Sequence, residues 1–164
     1  MALEIERRFL IKNDNWKKFI NKKIYIEQGY LSKSLDGWII RVRRIGKNSK
    51  IALKKHIKGF TNLEFEYSIP RSDAETILSK LSNTIKKDRF FLEIEKKSWI
   101  VDCFREKNYP LEIAEIELSN EEEDLFLPSF ISEEITGLTH YSNFSLANNP
   151  FSEWKEDYLT TFKS

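Results

Sequence analysis

The sequence is poor in the residues that build disulfide-bonded, zinc-binding or membrane-spanning proteins. Cys103 is the only cysteine among 164 residues, so no disulfide can form within the chain. One cysteine and two histidines also argue against a zinc site. No apolar run approaches the roughly 20 residues of a membrane span, and the charged N-terminus lacks the core of a signal peptide. We therefore expect a soluble, cytoplasmic protein with no membrane partner.

Neither a surplus of one charge nor a linker is present. The formal net charge is +1 although 32% of the residues are charged, which argues against a nucleic-acid binder with its basic surface. Glycine and proline number only 5 and 4, and no segment has the composition of an interdomain linker. A chain of this length can bury one real core. We expect a single domain over residues 1–164.

Most of the chain alternates between apolar and polar residues, which is typical of half-buried strands. The predicted strands are residues 3–11, 23–32, 37–46, 50–57, 62–69, 87–95, 98–104 and 111–118. Shorter helices are predicted at residues 13–22, at 72–81 behind a capping box, from residue 119, and at about 150–162. The pattern favours a mainly β fold, an antiparallel barrel or sandwich with helices packed outside.

Charged residues alternate along several strands, mostly with one sign per strand. Glu4, Glu6 and Arg8 form the first row, and one strand face carries all three. Further rows are Arg41 and Arg43, Glu64 and Glu66, Lys87 and Arg89, and Glu115 and Glu117. A solvent-exposed sheet face would also show charged residues at alternate positions. Cross-strand pairing on such a face, however, favours neighbours of opposite charge. Segregated rows favour a closed barrel whose charged interior binds a divalent cation and a polyanion.

These rows, in this order, resemble the triphosphate tunnel metalloenzymes (CYTH-like proteins), which include class IV adenylyl cyclases and thiamine triphosphatases. The bacterial tripolyphosphatase-type branch is the most similar. The motifs that carry the resemblance are Glu4-Ile5-Glu6-Arg7-Arg8, Gln28-Gly29-Tyr30-Leu31, Arg41-Val42-Arg43, Leu53-Lys54, Glu64-Phe65-Glu66, Lys87-Asp88-Arg89-Phe90, Val101-Asp102, Glu115-Ile116-Glu117, Glu133-Glu134-Ile135-Thr136 and Tyr141-Ser142-Asn143. Each motif is weak alone, but their order and spacing from about residue 3 to 147 are specific.

The resemblance implies an eight-stranded tunnel, open at both ends, that hydrolyses a triphosphate-containing small molecule, most simply inorganic tripolyphosphate. It implies Mg2+ or Mn2+ held by Glu4, Glu6, Asp102, Glu115 and Glu117. It implies a phosphate clamp of Arg8, Arg41, Arg43, Lys54 and Arg89. It implies catalysis by Lys87 with Tyr30, and a second metal or an orienting role at Glu64 and Glu66. It also allows for a homodimer.

Two positions depart from the family pattern. Arg8 stands where the family motif has lysine, which keeps the charge but adds a bidentate donor. Thr139 and His140 stand where many relatives carry a basic residue, and His140 would compensate only if it were protonated and faced the lumen.

Several other functions fit the same pattern. A class IV adenylyl cyclase, or a thiamine or nucleoside triphosphatase, would use the same fold. A non-catalytic polyphosphate-binding protein would keep the basic rows without the chemistry. An oligonucleotide-binding barrel is disfavoured because acids inside the groove would repel phosphate unless a metal intervened.

Overall fold

The structure is a computed structural model that describes residues 2–154. Its main element is one antiparallel sheet of nine strands. The strands are β1 (Leu3–Ile11), β2 (Ile20–Lys33), β3 (Trp38–Ile45), β4 (Asn48–Lys58), β5 (Thr61–Ser68), β6 (Thr84–Ile94), β7 (Lys97–Phe104), β8 (Glu112–Glu117) and β9 (Ile131–Glu134). All eight predicted strands are confirmed, and the ninth was not predicted.

Eight of these strands close into a barrel. The order along the sheet is β5-β4-β3-β2-β6-β7-β8-β1-β9, and β1 also pairs with β5. That closing contact joins the first residues of both strands, Leu3 opposite Leu63 and Ile5 opposite Thr61. β9 adds to the later part of β1. The predicted closed antiparallel barrel is therefore confirmed.

The helical segments between residues 2 and 154 are shorter than the sequence predicts. The segment at 13–22 is a 3-10 helix, Asp14–Phe19, capped by Asn13, and β2 begins at Ile20. The predicted helix at 72–81 is α1 (Arg71–Ser79), which follows Pro70 and makes no side-chain capping bond, so the capping box is wrong.

Near the C-terminus, short helical turns follow β9. A 3-10 turn at Thr139–Tyr141 precedes α2 (Asn143–Asn148), and another 3-10 turn spans Phe151–Glu153. Of the helix predicted at about 150–162, residues 155–162 lie outside the described part of the chain.

The helix predicted from residue 119 is wrong. The segment is a turn, and its acids contact the barrel rather than solvent alone. Glu121 accepts hydrogen bonds from the Phe60 amide and the Thr61 hydroxyl at the β4–β5 hairpin, and Glu123 pairs with Lys97. Because these carboxylates bond to the neighbouring strands, they hold a loop across the sheet instead of favouring a helix start.

The outer face of the barrel is apolar and covered by the helical segments. Trp16, from the 3-10 helix, is 1% exposed and packs edge-on against Phe90. On another part of the outer face, Leu78 of α1 is buried in a cluster with Val42. A Cβ at Gly29 would lie 2.7 Å from a methyl carbon of Leu81, so a larger residue there would require the leucine side chain to shift.

At one end the lumen is filled with apolar side chains. Leu10, Ile85, Phe104 and Ile113 lie two residues beyond the charged rows, on the same strand faces. They form one buried cluster with residues of the C-terminal segment, which are Ile135, Tyr141, Leu146, Phe151 and Trp154. The expectation of a tunnel open at both ends is therefore wrong at this end, because the C-terminal segment packs into it.

None of the helices within residues 2–154 is long and apolar enough to cross a membrane.

Candidate active site

The strand register brings the charged rows together inside the barrel. Residues paired across antiparallel strands share a face, so the pairs Arg8 with Glu115 and Arg89 with Asp102 lie on the same inner surface. Lys54 pairs with Glu64 on that surface as well. The apolar neighbours of these residues point outward into the clusters described above. One barrel thus separates an apolar outside from a charged inside.

Three carboxylates surround one lysine on the β1, β4 and β5 wall. Lys54 Nζ contacts Glu4, lies 3.7 Å from Glu6 Oε1 and lies 3.6 Å from Glu64 Oε2. Glu64 Oε2 is buried and has no hydrogen-bond partner in the described residues. The pairing of β1 with β8 places a fourth acid beside these three, because the exposed Glu117 lies opposite Glu6. We call Glu4, Glu6 and Glu64 the acidic trio.

The acidic trio carries more negative charge than Lys54 neutralises. Burial, with the neighbouring carboxylates of Glu6 and Glu64, raises the pKa of Glu4 to about 7 in spite of Lys54. Burial opposes the charge of Lys54, but the three carboxylates still raise its pKa above the ordinary lysine value. Carboxylate oxygens with this unmet charge fit a hard divalent cation.

A second network of alternating charges lies deeper in the lumen. The Asp102 carboxylate, 0% exposed, accepts two hydrogen bonds of 2.8 Å from Arg89 and one of 2.6 Å from Lys87 Nζ. Arg89 also lies 3.6 Å from Glu115, which in turn accepts a 3.2 Å bond from Arg8. Although burial opposes it, Arg89 and Lys87 hold the pKa of Asp102 well below its usual range. Both oxygens of Asp102 are therefore occupied by cations.

Lys87 is the most perturbed base in this network. It is fully buried, and burial lowers its pKa to about 7, with Arg89 and Arg43 acting in the same direction and Asp102 against it. Its Nζ donates to Asp102 and, at 2.9 Å, to Asn143 Oδ1. Such an amine can exchange a proton near neutral pH.

The arginines of β3 provide cationic groups that lack full carboxylate pairing. Arg43 donates to Gln28 Oε1 at 3.0 Å and forms no ion pair within the described residues. Burial, with Arg41 and Arg89 nearby, lowers its pKa to about 9. Arg41 binds Glu64 and Glu66 through Nη2, but its Nε is buried without a partner in the described part, as is Arg8 Nη2. These unmet donors fit the oxygens of an anion.

A cavity of about 490 Å³ adjoins both charged groups. Its lining includes Glu6, Arg8, Tyr30, Arg41 and Lys54 from the strands. The other side of the cavity is formed by residues 136–145, which we call the closing segment.

The closing segment is tied to the lumen by polar and aromatic contacts. Arg8 donates from its backbone to Thr136 Oγ1 and from Nη1 to the Tyr141 carbonyl, at 2.9 and 3.0 Å. Phe144 packs edge-on against Tyr30, with ring centroids 5.3 Å apart. The residue that departs from the family's lysine, Arg8, thus uses its additional donors to hold the closing segment.

The five residues predicted to bind metal fall into two separate groups. Glu4 and Glu6 lie in the acidic trio and Glu117 lies across from it, whereas Asp102 and Glu115 belong to the arginine network. No group of three or more acidic, histidine or cysteine residues between 2 and 154 is already arranged as a metal site. The residues that fit a cation are the acidic trio, because Asp102 has no free oxygen.

The structure does not join the predicted catalytic pair. Tyr30 OH accepts a 2.8 Å hydrogen bond from Gln28 and its ring packs on Phe144, while Lys87 bonds to Asp102 and Asn143. Within the described chain no hydrogen bond links Tyr30 to Lys87. Their joint role remains a prediction that would require a bound substrate between them.

Thr139, His140 and Glu66 are the remaining residues near the site that the sequence analysis singled out. Thr139 lines the cavity, whereas His140 packs on the rings of Tyr141 and Trp154, at 4.5 and 5.2 Å between centroids. Glu66 is exposed and pairs with Arg41 and Lys50, which suits an orienting role better than a deep metal site.

Two residues of the site were not assigned a role from sequence. Gln28 precedes Tyr30 by two, so the same period of two would have placed it on the inner face. No sequence pattern points to Asn143, because it lies outside the strands. Only the course of the chain after β9 brings it to Lys87.

Comparison with known proteins gives one curated relative across nearly the whole chain. The chain is 35% identical over 158 residues to an inorganic triphosphatase of Acetivibrio thermocellus, covering 95% of this chain and all of that protein. Among solved structures, the inorganic triphosphatase NE1496 is similar with a TM-score of 0.67 and 25% identity, over 90% of this chain and 95% of that one. HpAC1 from Hippeastrum, described with a dominant triphosphatase activity, shares the fold at a TM-score of 0.54 and 12% identity, over 74% and 81% of the two chains. No known family model matches the chain.

Proposed function

Because this chain belongs to the inorganic triphosphatase family, we propose that it hydrolyses inorganic tripolyphosphate to pyrophosphate and phosphate with Mg2+ or Mn2+. The solved triphosphatase NE1496, which has the same fold, supports the assignment.

The observation that carries the proposal is the presence of opposite unmet charges in one lumen. Arg43 is a half-buried cation that donates to the Gln28 amide and forms no ion pair within the described residues. Glu4, Glu6 and Glu64 surround Lys54, and Arg41 also pairs with Glu64. A free anion would suit the first group and a cation the second. A metal-bound polyphosphate is one ligand that supplies both.

The basic residues would bind the phosphate chain. Arg8 Nη2 and Arg41 Nε are buried donors with no acceptor among the described residues, and charge-assisted bonds to phosphate are among the strong hydrogen bonds in proteins. Arg89 is fixed by two bonds to Asp102, so it keeps its position while the substrate enters. Fixed donors lower the reorganisation needed to reach the transition state.

The acidic trio would hold the divalent cation. Glu4, Glu6 and Glu64 provide hard oxygen ligands, with Lys54 able to turn from them toward a phosphate oxygen. When bound there, the cation polarises a phosphoryl oxygen and neutralises part of the substrate charge.

Lys87 would accept the proton of the attacking water. Its pKa of about 7 leaves part of the population as a neutral amine at physiological pH. Water attacks the terminal phosphorus in line, the bond from that phosphorus to the bridging oxygen breaks, and pyrophosphate leaves. The water proton passes to Lys87 Nζ, and Asp102 stabilises the resulting ammonium. Tyr30, at the cavity wall, would orient the substrate.

The test is phosphate release from inorganic tripolyphosphate, with ATP and thiamine triphosphate in parallel, in Mg2+, in Mn2+ and in EDTA. Metal-dependent release, fastest from tripolyphosphate, is expected. Faster release from ATP or thiamine triphosphate would reassign the substrate within the same chemistry. No release from any of the three, with tripolyphosphate still raising the melting temperature, would replace the hydrolase with a polyphosphate-binding protein.

A further inference from the structure

One side chain from outside the barrel strands reaches the buried amine of Lys87. Asn143 Oδ1 accepts a 2.9 Å hydrogen bond from Lys87 Nζ, whose other acceptor is Asp102 Oδ2 at 2.6 Å. Lys87 is 0% exposed and lies over the ring of Phe104, with Nζ 5.4 Å from the ring centroid. Both acceptors therefore act on an amine whose stem is already held by packing.

Together, the two acceptors determine which direction around Lys87 Nζ remains free. An amine nitrogen has three substituent directions beyond its carbon, which are three N–H bonds when charged and two N–H bonds with a lone pair when neutral. Asp102 and Asn143 take two of them. With either acceptor alone, the lone pair of the neutral amine could take either of the two directions that remain. With both, the third direction is fixed, and reaction rates depend steeply on such orientation.

The hydrogen bond is not needed to build the helix that carries Asn143. α2 begins at this residue, but its cap is Ser142, whose Oγ accepts from the Ser145 amide at 3.1 Å. Asn143 also lines the 490 Å³ cavity, so its amide lies between the substrate space and the buried lysine.

We propose that Asn143 is a positioning residue for triphosphate hydrolysis, which directs Lys87 Nζ toward the attacking water through its Oδ1. This inference rests on the proposed function. It gives the closing segment a part in the chemistry, because the orientation of Lys87 depends on the seating of residues 136–145 against the barrel.

The experiment compares two replacements of Asn143 with a control in the same helix. Asn143→Leu keeps the approximate volume and removes the acceptor, while Asn143→Asp keeps an acceptor oxygen at the same position. Asn148→Ala is the control, since Asn148 is exposed and its amide bonds only to the Phe144 carbonyl within the described residues. The values of kcat and KM for tripolyphosphate and the melting temperature are measured for all three.

We expect Asn143→Leu to lower kcat about 10- to 100-fold with KM changed less than about threefold, since misplacement of a reacting group acts on the chemical step. Asn143→Asp should recover kcat to within about fivefold of wild type once the assay pH is raised, because the added carboxylate raises the pKa of Lys87. Asn148→Ala should match wild type. Three results would overturn the inference. These are equal kcat values for Asn143→Leu and Asn143→Asp, a rise in KM without a loss of kcat, and a loss of kcat that merely parallels a fall in melting temperature. A wild-type protein that releases no phosphate would instead overturn the proposed function, and the inference with it.

Discussion

Lys87 and Asp102 form an ion pair of 2.6 Å in which both side chains are 0% exposed. A charge in such a place is costly unless its partner remains, because solvent cannot replace the partner. Arg89 lies on the same carboxylate, so Asp102 neutralises two buried cations at once. The barrel tolerates this arrangement because each strand places one charged face inward against the next.

Removing the carboxylate of Asp102 should therefore destabilise the protein strongly. Asp102→Asn is expected to lower the free energy of unfolding by about 3–5 kcal/mol, because it leaves Lys87 and Arg89 without their shared anion. Asp88→Asn is the control: Asp88 lies one residue from Lys87, faces outward and pairs with the exposed Arg105, so the expected cost is below about 1 kcal/mol. Urea unfolding measures both. Similar losses for the two variants would contradict the charge network.

The pH dependence of stability should reveal the crowding of the acidic trio. The pKa of Glu4 is about 7 in the folded protein against an ordinary 4.5, so the folded state binds the extra proton between these values. The stability from this group is complete below about pH 4.5 and is lost as pH rises through about 7. In EDTA, wild type should lose about 3 kcal/mol relative to Glu4→Gln across that range. Parallel stability curves for the two proteins would refute the raised pKa.

Metal affinity should increase when the internal cation is removed. Lys54 lies among the three carboxylates where a divalent cation would bind, so the two cations compete. Lys54→Gln should tighten Mn2+ binding without substrate by about tenfold, an effect of about 1.4 kcal/mol. Titration calorimetry is the measurement. The control is Lys58→Gln, which removes the same charge at an exposed position of the same strand and should not alter the affinity for Mn2+. Weaker binding in Lys54→Gln would show that the acidic trio is not the metal site.

Arg43 should matter for anion binding rather than for folding. Arg43→Gln is expected to weaken tripolyphosphate binding about 10- to 100-fold, as it removes charge-assisted hydrogen bonds. Without ligand it should cost little stability, because Arg43 has no carboxylate partner in the described chain. The melting temperature in EDTA, with and without tripolyphosphate, tests both statements. Arg44→Gln, on the outer face of the same strand beside Glu27 and Glu75, should keep the full ligand-induced shift.

The inner face of the barrel could be predicted from sequence because strand periodicity is local. Once Arg41 and Arg43 are placed on a strand, both must lie on one face, and the same holds for Glu4 and Glu6. These assignments need no knowledge of which strands are neighbours.

Contacts between strands could not be predicted in the same way. Whether Glu4 lies beside Lys54 or Asp102 depends on the shear of the closed sheet, which is set where Leu3 meets Leu63. That register puts Glu4 and Glu6 with Glu64, and leaves Asp102 with Arg89. Sequence therefore predicts which acids face inward but cannot divide them into two groups.

The helical predictions failed where tertiary contacts override local preference. Residues 13–22 carry a helical apolar stripe, yet β2 begins at Ile20 because this strand pairs with β6 from Leu92 onward. Glu121 bonds to the β4–β5 hairpin instead of starting a helix. Asn143 reaches Lys87 only through the fold of the C-terminal segment, which no local pattern encodes.

The most direct test of the account is metal-dependent phosphate release from tripolyphosphate by Glu4→Gln. Its matched control is Glu93→Gln, an exposed glutamate of β6 at the hairpin end. We predict that Glu4→Gln loses metal-stimulated turnover by at least about 100-fold, while Glu93→Gln keeps the wild-type rate. Unchanged metal-stimulated turnover in Glu4→Gln would contradict the assignment of the acidic trio and, with it, the metal–triphosphate site inside the barrel.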